Sequence, residues 1–294
     1  FDLHSDLYYS IPHINNKFSY IGKLMIIRHL LQLLFFTMAI YFSSNLFLSL
    51  CILVCVQVVF YYFIEKKLIE KRFSVVFNKV NFKNVKKIIF IGISLGFSAM
   101  MVSLSSNIPR YLIEYFYSPK LLGYFSAIAY IVTVGNLLMN SVTQNFLNRM
   151  TYLLNINNIR KFKFYVFGYL TIFSLALGLA VIMFSYLFGE TFLKITYGRE
   201  YVNYADILIL MSFAVAIDFI SASYDTALMS MRYISIQPKI SIYVLIISSL
   251  LGILLVKNFG IYGAAYTIIF ANLFQFILRF IFVIYGLRTR FIYY

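Results

Sequence analysis

Long apolar runs alternate with short polar segments along the chain, and eight of the runs are long enough to cross a hydrocarbon layer as helices. They are predicted near residues 24–43, 46–64, 88–113, 121–144, 164–187, 205–228, 240–256 and 261–285. None shows the two-residue alternation of a barrel strand. Backbone in hydrocarbon must satisfy its own hydrogen bonds, so helices are expected throughout. The pattern predicts an all-α polytopic membrane protein with about eight transmembrane helices.

Composition sharpens this picture. Hydrophobic residues make up 62% of the 294 and charged residues 12%, against about 45–50% and about 25% in soluble domains. One core could not bury so much apolar surface, and the excess is expected to face lipid. The net charge of +15 raises the question of nucleic acid. However, the basic residues lie in short segments between apolar runs and form no nucleic-acid motif, so no such partner is expected. With the amino terminus in the cytoplasm, 20 of the 25 Lys and Arg residues fall on the inner side and 5 on the outer, which predicts that both ends are cytoplasmic.

The segment 65–87, "EKKLIEKRFSVVFNKVNFKNVKK", carries eight basic and two acidic residues. It reads as a cytoplasmic loop held near anionic membrane lipid, with partner docking as the alternative. It divides the chain into 1–64, the loop 65–87, and 88–294. The chain opens on Phe rather than Met, and its first twenty residues lack the layout of a signal peptide, so an incomplete or processed chain is expected. Cys51 and Cys55 share a helix face and are expected to pack there. His4, His13 and His29 show no ligand spacing, and no phosphate-binding loop is present, so neither metal nor cofactor is expected.

Several runs carry polar stripes. On the third, Gly96, Ser103, Asn107, Arg110 and Glu114 share a face, Gly92 and Gly96 offer a point of close helix approach, and Pro109 is expected to bend the outer end. Arg110 and Glu114, four apart, can neutralise each other, either at a solvated outer interface or inside the protein. Asn136, Asn140 and Gln144 recur on the fourth run, with Asn145 beside them. Asp218, Ser221 and Asp225 share a face of the sixth, and Asn272, Gln275 and Arg279 a face of the eighth; Arg28 stands at the inner end of the first. One stripe alone is interhelical glue. Four stripes with charges of both signs point to a polar cavity between helices. No nucleophile stands beside a base, and no long outer loop carries acid–base residues, so an enzyme is not expected.

The segment 103–131, "SLSSNIPRYLIEYFYSPKLLGYFSAIAYI", resembles the signature of bacterial polysaccharide flippases of the multidrug/oligosaccharidyl-lipid/polysaccharide export superfamily. The matching residues are Asn107, Pro109, Arg110, Tyr111, Ile113 and Glu114, then Leu122, Gly123, Phe125, Ser126, Ala127, Ala129, Tyr130 and Ile131. "GIYGAAYTIIFAN" (260–272) is similar to the family's final-helix opening, while Tyr117-Ser118-Pro119 departs from its usual Gly-containing turn. The resemblance implies twelve helices in two lobes. Residues 88–290 would be the second lobe, residues 20–64 the last two helices of the first, and four earlier helices would be missing. It also implies transport of an undecaprenyl-pyrophosphate-linked oligosaccharide across the bacterial cytoplasmic membrane, for O-antigen, lipopolysaccharide or another surface polysaccharide.

On that reading Arg28, Asn107, Arg110, Glu114, Asn140, Asn272, Gln275 and Arg279 are substrate-path candidates, Asp218 and Asp225 coupling-ion candidates, and Pro109 a hinge. Implied partners are the lipid-linked oligosaccharide, membrane lipids, and a polysaccharide polymerase and chain-length regulator. A multidrug exporter of the same superfamily and a membrane polymerase or ligase are the alternatives.

Overall fold

The computed structural model describes residues 2–14, 17–73 and 82–289, and its regular elements are all helices. Six helical stretches are long and apolar enough to cross a membrane: Ser19–Ser43, Leu46–Phe73, Pro119–Asn155, Ile159–Thr196, Arg199–Ser230 and Ile234–Arg288. The chain is an all-α polytopic membrane protein. The six stretches hold seven of the eight predicted spans, because the last of them carries two. The remaining span, 88–113, falls in the helix Phe82–Phe116, outside those six.

The chain divides into two compact units, Phe1–Asn81 and Phe82–Tyr294. In the first, α1 (Asp2–Ile14) precedes α2 (Phe18–Ser43) and α3 (Leu46–Phe60). The α2–α3 turn is tight because Ser44 takes a left-handed conformation and the Asn45 side chain caps α3, accepting from Phe47 N at 2.9 Å. From α3 a π turn, Tyr61–Glu65, leads into α4 (Lys66–Phe73). The loop expected from residue 65 therefore begins as helix. The reason is burial: Ile69 is fully enclosed with Tyr9, Ile21 and Leu24. Residues 74–81 of the expected loop lie outside the described residues. Cys51 and Cys55 are exposed rather than packed.

The second unit contains α5 (Phe82–Phe116), α6 (Pro119–Asn155), the short α7 (Ile159–Lys163), and α8 (Thr171–Thr196), which follows a π segment at Phe164–Leu170. Next come α9 (Ala205–Ser230) and the stretch Gln237–Thr289, which is non-helical at Gly260. There φ is 58° and ψ −130°, a conformation that glycine adopts without the cost of a Cβ. The chain doubles back at this point: a Cβ on Gly263 would stand 2.0 Å from Leu255 O. We name the two arms α10 (237–259) and α11 (261–289). Between α5 and α6, Ser118 accepts from Leu121 N at 3.3 Å and Pro119 occupies the first helical turn, so a cap and a proline set the start of α6.

Helix α9 packs against α6, α8 and the α10–α11 arms. Its seam with α8 is built from small and hydroxylated residues. Ser174 and Ser223 hydroxyls lie 2.7 Å apart and those of Ser185 and Ser212 2.5 Å apart, while a Cβ on Gly178 would fall 2.7 Å from Ala216 Cβ. Close backbone approach and short hydroxyl bonds hold helices together where lipid offers no hydrophobic drive. The close approach expected at Gly92 and Gly96 is not formed among the described residues; a Cβ on either would meet nothing within 4 Å.

Candidate functional site

Within the second unit, α5, α6, α9, α10 and α11 surround a cavity of about 460 Å³. Arg110, Asn136, Asn140, Asp218, Asp225, Asn272, Gln275 and Arg279, eight of the residues singled out in the sequence, line it. The stripes meet because α6, α9 and α11 each turn one polar face inward, and their apolar faces are satisfied by neighbours and lipid. Sequence inspection passed over the hydroxyls of Ser105, Ser106, Thr133 and Ser241, which also line it. Thr133 was findable: it stands three residues before Asn136 and seven before Asn140, on the same face.

The charges lie towards opposite ends, since α5 and α6 form one hairpin and α9 and α10 another. Towards the end where α9 runs out, Arg279 Nη2 lies 3.3 Å from Asp225 Oδ1, and Arg279 Nη1 donates to Ser221 Oγ at 2.9 Å. Gln237 also donates to Asp225. Towards the other end, Arg110 donates to Asn107 Oδ1 at 2.8 Å and its guanidinium lies 5.8 Å from the centre of the Tyr130 ring. The anticipated Arg110–Glu114 pair is not formed. Glu114 is exposed, and Asn107, one helical turn before Arg110, takes the guanidinium instead. Asn107 in turn donates to Ser103 O at 2.8 Å, so it positions Arg110 from outside the lining. Pro109 is buried within an otherwise continuous α5. Gln144 and Asn145 are exposed and do not line the cavity.

Four ionisable side chains line the cavity, Arg110, Arg279, Asp218 and Asp225, and their formal charges sum to zero. Amides and hydroxyls outnumber them. Asn272 donates to Ala214 O at 2.9 Å, whereas Asn140 and Gln275 side chains make no hydrogen bond within the described residues. Arg110 Nε, Asn136 Oδ1 and Arg279 Nε are buried without a protein partner. Such a lining offers many neutral donors and acceptors at neutral net charge, the chemistry that matches a polyhydroxylated solute.

Arg28 belongs to the first unit and is committed elsewhere. Its Nη1 lies 3.4 Å from Glu65 Oε1, with side chains 5% and 0% exposed. Glu65 also accepts from Ser5 Oγ at 2.6 Å and from the Tyr9 hydroxyl. Burial, and next the hydrogen bond to this carboxylate, push the Tyr9 phenol above its ordinary range. Arg28 thus stands as a buried counter-charge to Glu65 and is not among the residues that line this cavity. The sequence gives little warning, because Glu65 opens a run of charged residues that reads as a loop. Among the described residues no His, Cys, Asp and Glu cluster could hold a metal.

The chain is similar to the "Capsular polysaccharide biosynthesis protein CapF" of Staphylococcus aureus, with 28% identity over 265 residues. The alignment covers 88% of this chain, which spans 66% of that relative's length, just under two thirds. No family model matches the chain, and no solved structure does.

Proposed function

We propose that this protein translocates a lipid-linked oligosaccharide, anchored on undecaprenyl pyrophosphate, from the inner to the outer leaflet of the bacterial cytoplasmic membrane, for a capsular or related surface polysaccharide. The observation that carries this reading is the cavity, whose polar lining within a membrane-spanning bundle consists mostly of amides and hydroxyls. A sugar head group sheds its water only where donors and acceptors replace it, and apolar helices cannot do so. The likeness to a capsular polysaccharide biosynthesis protein and the flippase-like segment 103–131 support the same reading. Arg110 supplies a cation not paired with a carboxylate, suited to phosphate oxygens. In this proposal both chain ends are cytoplasmic, no bond is made or broken, and a polymerase acts downstream.

The test uses Asn140→Leu with Gln275→Leu in the native cell. Among the described residues neither side chain makes a hydrogen bond, so the loss reads on the cargo. At about 0.5–1.5 kcal/mol per hydrogen bond, surface polysaccharide should fall roughly fivefold to a hundredfold at unchanged protein level, with lipid-linked oligosaccharide accumulating inside. Wild-type export by this variant would overturn the proposal. Extrusion of organic cation dyes from vesicles, abolished by Asp218→Asn, would favour the multidrug exporter instead.

A further inference from the structure

A second cavity, of about 410 Å³, lies between α6, α8 and α9 and has an opposite character. Leu177, Val181, Phe184, Phe192 and Val215 line it, and it bears no charged side chain. Its two serines make no demand on an occupant: Ser185 and Ser212 bond each other at 2.5 Å, and Ser212 also donates to Leu208 O at 2.8 Å. An apolar cavity of about 150 Å³ stays dry and takes up benzene. By the same measure this one has room for about sixteen carbon atoms.

Two features identify the occupant. The groove is continuous with the lipid-facing surface, because Phe184 in its wall is half exposed and Leu179, Met183 and Leu187 beside it on α8 point outward. It also shares a wall with the polar cavity, since Val215 lines both. The seam between them is thin. Gly135 lets α6 and α9 meet there, and a Cβ on it would lie 3.1 Å from Phe219 Cζ. A polar chamber and an apolar slot on two sides of one side-chain layer match an amphiphile with a hydrogen-bonding head and a hydrocarbon tail.

We propose that the groove seats the polyprenyl chain of the lipid whose head group enters the cavity; this rests on the reading given above for the cavity. The native sequence contains no Trp, so a single introduced Trp reports on its own surroundings. Leu177→Trp and Val181→Trp place the reporter in the groove, Leu179→Trp on the lipid face, and Phe125→Trp in a fully buried position. The proteins are reconstituted in phosphatidylcholine vesicles whose acyl chains carry bromine, a contact quencher.

Groove reporters should lose nearly as much fluorescence as Leu179→Trp, while Phe125→Trp keeps most of its own. Adding unbrominated polyprenyl phosphate to a few per cent of the lipid should then restore at least half of the loss in the groove and none at Leu179→Trp. Groove reporters as protected as Phe125→Trp would overturn the proposal, and so would quenching that polyprenyl phosphate does not relieve, which would mean that bulk acyl chains fill the slot. No oligosaccharide and no transport enter this measurement. Failure of the export test alone would therefore count against the cavity's function and not against the groove.

Discussion

Pro109 has no backbone N–H to donate to the carbonyl four residues earlier, that of Ser105. Water would normally satisfy such a carbonyl, but hydrocarbon cannot. In this protein Ser248 Oγ donates to Ser105 O at 3.2 Å, from a fully buried position on α10. The proline thus brings with it a serine 139 positions away, and the pair fastens α5 to α10. Ser248→Ala should cost about 1–2 kcal/mol by leaving a buried acceptor unmet. Pro109→Ala restores the amide, and in that background Ser248→Ala should cost almost nothing further. A double-mutant cycle on thermal unfolding in detergent measures this coupling. Additive losses would show that the hydroxyl and the freed carbonyl act independently.

At the level of elements, the spans were legible because hydrophobic length is stated directly in the sequence, and the inward stripes of α6, α9 and α11 because helical spacing is. Partners across helices were not. Nothing in the spacing of Arg110 and Glu114 revealed that Asn107 would take the guanidinium. The π turn at Tyr61–Glu65 concealed more. It adds a residue to one turn and shifts the register, so that Glu65, apparently the first residue of a charged loop, points into the first unit beneath α1 and α2. Removing one partner of a buried ion pair costs about 3–5 kcal/mol, whereas removing both is often near neutral. Arg28→Gln should therefore lower the melting temperature and the membrane level sharply, and Arg28→Gln with Glu65→Gln should recover most of both. Wild-type stability in the single variant would mean that the pair contributes nothing to the fold.

For the whole molecule, the neutral sum of Arg110, Arg279, Asp218 and Asp225 has an electrical consequence. With all four groups ionised, reorientation of the empty cavity carries no net charge through the membrane field, so under the proposed function the field acts on the cargo alone. A pyrophosphate moving outward through an inside-negative membrane moves downhill, by about 4–5 kcal/mol per 100 mV for two charges. Resting voltage would then be a sufficient motor, and the protein a rectifier for anionic head groups without a built-in battery. In vesicles clamped with potassium and valinomycin, outward flipping should quicken with inside-negative voltage, stall when the voltage is reversed, and generate an outward flow of negative charge. A rate indifferent to voltage would mean that two cations travel with each head group, and Asp218 is the first place to look for one of them.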